Sequence, residues 1–311
     1  MKSNAIVLEN PGKLALAELS LKDPTSEDVV VEIEWSGIST GTERLLWSGR
    51  MPHFPGMGYP LVPGYESVGR VVEAGPQSGR REGERVFVPG ADCYREARGL
   101  FGGASSRVVV AGRKAFPVSE DLGSRAILLA LGATAHHAVA PGLAALPELI
   151  VGHGVMGRLV ARIVLAHGGE PTVWETNRVR QSGATGYRVI APDADERRDY
   201  AAICDVSGDS DILDSLVSRL APGGEIVLAG FYDRLSFSFP PAFMREARLR
   251  MAAEWRPHDL AGLDNLISDG RLSLDGLLTH TSAPAQFDAA YATAFTDPDC
   301  LKMVVDWRQA A

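Results

Sequence analysis

The chain has 311 residues, 45% of them hydrophobic and 23% charged, with a net charge of −8. That length suits two domains around sizeable cores, and the acidic balance argues against nucleic acid as the main partner. No apolar run reaches the roughly 18 residues a membrane span needs, the first residues lack a secretory apolar stretch, and Cys93, Cys204 and Cys300 show no paired spacing; together these read as a cytoplasmic protein without a membrane span.

In chain order, residues 1–122 carry short β-branched runs between glycine turns: Val29–Trp35, Gly69–Gly75, Arg85–Pro89 and Ser105–Val110. Strands without intervening helices predict a barrel-like antiparallel domain. From 123 to 258 strands and helices alternate. An apolar strand ending at Ile150 leads into Gly152-His153-Gly154-Val155-Met156-Gly157, then a helix over Leu159–Ala166, then a strand ending at Glu175. Further strands are expected at Arg188–Ala191, Ala202–Gly208, Pro222–Gly230 and Leu249–Trp255, with a helix at Ile212–Leu220 and a curtailed one between Glu175 and Val189, where Gly183 and Gly186 stand. This is the doubly wound parallel-sheet pattern. The tail reads as helices Leu260–Ser268 and Ala285–Phe295, then a strand at Leu301–Trp307.

Strand, G-x-G-x-x-G, helix, strand and an acid roughly 20 residues on form the dinucleotide fingerprint. Gly152 permits the tight turn, Gly154 lets backbone amides approach a pyrophosphate, and Gly157 lets helix and strand pack closely. His153, Val155 and Met156 lie within that loop, and Ser207 and Gly230 end the next strands, so all are expected to line the cofactor. Glu175 would accept from the adenosine ribose hydroxyls and repel a 2′-phosphate, which makes NAD the expected cofactor. Arg178 and Arg180 stand close enough along the chain to meet a 2′-phosphate, the alternative.

Pro63-Gly64-Tyr65-Glu66-Ser67-Val68-Gly69, Trp35-Ser36-Gly37-Ile38-Ser39, Leu277-Leu278-Thr279-His280 and Lys302-Met303-Val304-Val305 stand in the order of matching motifs in the medium-chain dehydrogenase/reductase superfamily, which the chain resembles over nearly its whole length. The resemblance implies an α/β protein: a GroES-like β-rich catalytic domain over 1–122, completed by 259–311, and a Rossmann NAD-binding domain over 123–258. It also implies a homodimer, joined through the edge strand of the nucleotide domain.

Zinc-using members place Cys and His where this chain has Ser39 and Tyr65, and a third ligand near Leu129 or Ala130. A catalytic zinc is therefore not expected. A narrower resemblance, carried by Gly37–Arg44, Trp47–Pro52 and Pro60–Glu66, is to the branch that serves bacteriochlorophyll synthesis. It implies NAD-dependent oxidation of the C3 1-hydroxyethyl group of a bacteriochlorophyllide to acetyl. A soluble enzyme collecting so apolar a pigment leaves contact with a membrane surface open.

Without zinc, side chains must take the alcohol proton or orient the hydroxyl. Tyr65 is the first candidate, and would need a nearby cation or a water chain to act as a base. Ser39, Thr40 and Thr42 can hydrogen-bond the hydroxyl; Glu66 is expected to organise a network with Arg44 or another base; His137 has a suitable ordinary pKa. His136 and His137 are adjacent on a helix, so only one is expected to face a given site. Two other functions fit the same motifs: a zinc-free NADPH-dependent quinone or enoyl reductase, and a nucleotide-binding protein without turnover.

Overall fold

The computed structural model describes residues 1–139 and 145–309. In chain order the elements are β1 (Lys2–Asn10), β2 (Lys13–Ser20), β3 (Asp28–Ile38), α1 (Thr42–Ser48), β4 (Leu61–Val62), β5 (Ser67–Ala74), β6 (Arg85–Val88), β7 (Arg98–Gly99), β8 (Arg107–Ala111), β9 (Phe116–Pro117), α2 (Leu129–Val139), β10 (Leu149–Val151), α3 (Val155–Ala166), β11 (Thr172–Trp174), β12 (Arg188–Ile190), β13 (Tyr200–Asp205), α4 (Leu213–Arg219), β14 (Leu220–Leu228), α5 (Phe239–Met244), β15 (Arg248–Met251), α6 (Pro257–Ser268), β16 (His280–Ser282), α7 (Phe287–Thr296) and β17 (Met303–Asp306). They form two compact units, Met1–Ala130 with Asp275–Ala311, and Leu131–Leu274.

The first unit is built on β3, whose alternating Val29, Val31 and Ile33 are buried together with Val71, Val86, Val108 and Trp307. β3 pairs antiparallel with β5, β8 and β17, so the C-terminal strand is a working part of this unit. A second sheet, ordered β2-β1-β4-β7, completes it.

The second unit holds a six-stranded sheet ordered β12-β11-β10-β13-β14-β15, with every neighbouring pair parallel. The order reverses beside β10, and ligands of such sheets bind at that switch point, beyond the carboxyl ends of the strands. The fold class is thus the expected one: a GroES-like unit and a Rossmann unit.

Three details depart from the sequence reading. Between β11 and β12 there is no helix, not even a curtailed one; residues 175–187 form turns, with Gly183 and Gly186 at φ +80° and +83°. The last strand of the parallel sheet stops at Met251 rather than Trp255. Helix α6 belongs to the nucleotide unit, because Asp259 binds His136 and His137 of α2 and Leu263 packs where Gly132 has no side chain.

Candidate active site and nucleotide site

In the GroES-like unit, β3 ends at Ile38 and the chain turns through Ser39, Thr40 and Gly41 into α1. The turn is held from both sides of Glu43. Its backbone amide donates to Ser39 O (2.9 Å), and its side-chain Oε1 accepts from Ser39 N (2.9 Å). Glu43 Oε2 accepts from the Tyr291 hydroxyl of α7 at 2.7 Å. Glu43 is 2% exposed, and burial raises its carboxyl to about 7 against the pull of those two donors.

Fixed in this way, Ser39 presents its Oγ 2.5 Å from the Tyr65 hydroxyl, and Thr42 Oγ1 lies 3.4 Å from the same atom. Phe101 meets the Tyr65 ring edge-on at 5.5 Å. Thr40 sits half-buried in the same turn. Burial first, and then the Glu66 carboxylate, push the Tyr65 phenol above its ordinary range. The cation that a phenolate base would need is not what faces it: both charged neighbours acting on it are carboxylates, Glu66 and Glu43. Tyr65 is a neutral hydroxyl that accepts one hydrogen bond while donating another.

Glu66 is fully buried and pairs with the ammonium of Lys302, itself 1% exposed, not with Arg44, whose side chain is exposed. Burial raises the Glu66 carboxyl, and the Lys302 ammonium opposes it. Glu66 Oε1 has no hydrogen-bond partner among the described residues. The pair fits only because residue 37 is glycine: a Cβ there would stand 2.3 Å from Glu66 Oε2 and 3.0 Å from Lys302 Cε.

In the nucleotide unit, His137 Nδ1 lies 2.9 Å from Asp259 Oδ2 and His136 Nδ1 3.2 Å from Oδ1. Two adjacent imidazoles therefore do reach one group, contrary to the sequence argument, because the two oxygens of one carboxylate are spaced to receive both. Asp259 is fully buried; burial raises its carboxyl, but the Arg256 amide and the two imidazoles outweigh this and hold it below the usual range.

The fingerprint adopts the geometry its chemistry asks for. Gly152 has φ +101°. Gly154 precedes α3, and a Cβ there would meet nothing within 4 Å, leaving room above the first-turn amides. A Cβ on Gly157 would stand 1.8 Å from Gly152 O. Val155 and Met156 open the helix, half-buried. Glu175 Oε2 accepts from His153 N (3.0 Å) and Oε1 from Asn177 N (2.8 Å). Ser207 N donates to buried Asp205 (2.9 Å), and Gly230 N to the Tyr232 hydroxyl (3.3 Å), placing both residues at the carboxyl ends of β13 and β14. Arg178 is exposed. The groups that fit a dinucleotide are thus an open glycine cradle, a helix N-terminus and a fixed acid.

Zinc does not fit. The residues at its expected ligand positions are two hydroxyls bonded to each other and the apolar Leu129 and Ala130, 2% and 1% exposed. Among the described residues no three His, Cys, Asp or Glu side chains are placed to share a metal ion.

Glu43, Tyr291, Lys302, Arg158 and Tyr187 escaped the sequence reading. The signal was present for two: Arg158 lies among the apolar residues of α3's buried face, and Glu43 precedes the apolar Leu45 and Leu46, so each needed a partner.

Residues 25–148 match the family of the alcohol dehydrogenase GroES-like domain. The chain is 55% identical, over all of both chains, to the 2-desacetyl-2-hydroxyethyl bacteriochlorophyllide A dehydrogenases of Cereibacter sphaeroides and Rhodobacter capsulatus. Its fold is that of an Escherichia coli alcohol dehydrogenase complexed with NADH (TM-score 0.82, 20% identity, 98% of this chain and 99% of the other). It is equally that of a Sinorhizobium meliloti dehydrogenase bound to NADP (TM-score 0.82, 19% identity, 98% and 99%). This chain belongs to the 2-desacetyl-2-hydroxyethyl bacteriochlorophyllide A dehydrogenase family, a branch of the medium-chain dehydrogenases with a GroES-like domain.

Proposed function

We propose that this enzyme oxidises the hydroxyethyl side chain of a bacteriochlorophyllide to an acetyl group, with NAD⁺ and without catalytic zinc. The relatives' name describes a substrate with hydroxyethyl where acetyl belongs, so the step is loss of a hydride from carbon and a proton from oxygen. The nicotinamide supplies the hydride acceptor. The first-turn amides of α3 and the open face of Gly154 are suited to the pyrophosphate, and Glu175 to the ribose hydroxyls.

The observation that carries the zinc-free reading is the 2.5 Å contact between Ser39 Oγ and Tyr65 Oη, where zinc-using members place two ligands. The substrate hydroxyl donates to Tyr65 Oη as charge develops. Tyr65 passes its own proton to Thr42, directly or through Ser39, and the half-buried Thr42 hydroxyl releases its own proton to solvent, so that each hydroxyl stays neutral, as burial of Tyr65 beside Glu66 requires. Phe101 packs edge-on against the Tyr65 ring. Thr40 extends the set of hydroxyls around the substrate oxygen; His137, on the nucleotide unit, is held by Asp259.

The reading is tested by assaying purified protein with the hydroxyethyl pigment and NAD⁺ or NADP⁺. Turnover with NAD⁺ that survives a zinc chelator supports it; turnover that needs added zinc overturns it.

We further infer a homodimer formed along β15, the edge strand of the parallel sheet. Phe239, Phe243, Met244 and Met251 are 64–76% exposed around that edge, more apolar surface than a monomer usually leaves to water. Three free cysteines, all buried, suit a reducing cytoplasm. No helix among the described residues is long and apolar enough to cross a membrane.

A further inference from the structure

The nucleotide unit lacks the helix that ordinarily follows the ribose-binding acid, and residues 175–187 must be held by something else. A loop without regular structure leaves backbone carbonyls to satisfy. Three of them, Arg180 O, Ser182 O and Gly183 O, converge on one guanidinium. Arg158 is 8% exposed, and among the described residues no carboxylate pairs with it. Its Nη1 donates to Gly183 O (3.0 Å), its Nη2 to Ser182 O (2.8 Å) and Arg180 O (3.3 Å), and its Nε to His153 O (3.1 Å) inside the dinucleotide turn. Gly183 makes room for it: a Cβ there would lie 2.5 Å from Nη1.

The His153 ring completes the link. Arg180 O can only accept, so Nδ1 carries the proton and donates to it at 2.5 Å; Nε2 then accepts from the Tyr187 hydroxyl at 2.8 Å. Tyr187 meets the imidazole edge-on at 5.6 Å. Loop and turn are joined once more at the acid, where His153 N and Asn177 N fix the two oxygens of Glu175 and the Gln181 side-chain amide donates to its backbone carbonyl at 2.8 Å.

We propose that Arg158, His153 and Tyr187 form a clasp that replaces the crossover helix and sets nucleotide choice. The clasp binds the 175–187 loop to the dinucleotide turn, so Glu175 stays where the ribose arrives and cannot swing aside for a 2′-phosphate. A carboxylate offers about four acceptor positions; two are taken by backbone amides, and the others remain for the ribose hydroxyls. The three side chains are positioning residues that act through Glu175. The inference rests on the NAD reading and says which residues enforce it.

The test is direct binding: NADH and NADPH dissociation constants by fluorescence titration of the full chain, with thermal melting beside each. The unaltered protein is expected to bind NADH at least about a hundredfold more tightly than NADPH. Arg158→Lys keeps the charge but loses the fork that serves four carbonyls. It is expected to weaken NADH by about tenfold and bring the two nucleotides within about threefold of each other. Tyr187→Phe removes one hydroxyl and leaves the packing, so it carries the test even where Arg158→Lys fails to fold; its NADH preference is expected to fall several-fold with melting unchanged. If both variants fold and keep the full preference, the clasp is wrong while the NAD reading stands. An unaltered protein that prefers NADPH, or binds neither, overturns the NAD reading itself and the clasp with it.

Discussion

Glu43→Gln isolates the energetic consequence of burying a carboxyl behind Ser39. The side chain is ordinarily ionised above 4.5 and here holds its proton to about 7. Burial is the main cause. The Ser39 amide and the Tyr291 hydroxyl pull the other way, Glu66 pushes with burial, and Lys302 opposes it. Between those two values the folded protein carries a proton that the unfolded chain has lost, so stability falls as pH rises across the window. The full effect is about 3 kcal/mol, of which about 2.5 kcal/mol falls between pH 5 and pH 8. Glutamine keeps both contacts: its Oε1 accepts from Ser39 N, and its amide donates to the Tyr291 oxygen, which accepts as well as it donates. Urea unfolding of the two proteins from pH 5 to pH 8 reads the difference directly. The variant is expected to gain about 2.5 kcal/mol on the parent across that range, with m-values unchanged. A gap that stays constant with pH would show that Glu43 ionises like a surface carboxylate, and the reasoning would fail.

Other outcomes follow from single contacts. Tyr65→Phe deletes the hydroxyl shared by Ser39 and Thr42, and is expected to lower kcat at least about a hundredfold with little change in pigment KM; steady-state kinetics measure both. Gly37→Ala drives a methyl into the buried Glu66–Lys302 pair and is expected to cost about 2–3 kcal/mol of stability in urea unfolding. Gly157→Ala places a methyl 1.8 Å from Gly152 O and is expected to weaken NADH by more than about tenfold in a fluorescence titration. Met251→Asp on the exposed edge strand is expected to shift the protein from dimer to monomer in light scattering, with the parallel sheet intact by circular dichroism.

What the sequence made legible was local or periodic. The fingerprint could be read because its glycines, strands and acid lie within a short stretch whose order is set by one binding task. The β-branched runs of the GroES-like unit and the strand at Met303–Asp306 were equally plain. The interactions that shape the candidate site are of another kind. Glu43 meets Tyr291 across 248 residues, and His137 meets Asp259 across 122. No spacing rule connects such partners; only the topology does, since β17 pairs with β3 and brings Lys302 beside Glu66. The absent crossover helix lies between these cases. Gly183 and Gly186 marked the weakness, but the carbonyls that replace the helix, and the guanidinium that satisfies them, exist only once the loop has folded against α3.

The proposed reaction moves the substrate's proton through hydroxyls in place of a metal. The most direct test is turnover of the hydroxyethyl bacteriochlorophyllide with NAD⁺ by protein stripped with a zinc chelator, with bound metal measured on the same sample. The expected result is NADH formation and a matching shift of the pigment band at the untreated rate, with no zinc bound. Loss of turnover on chelation, restored by added zinc, would contradict it.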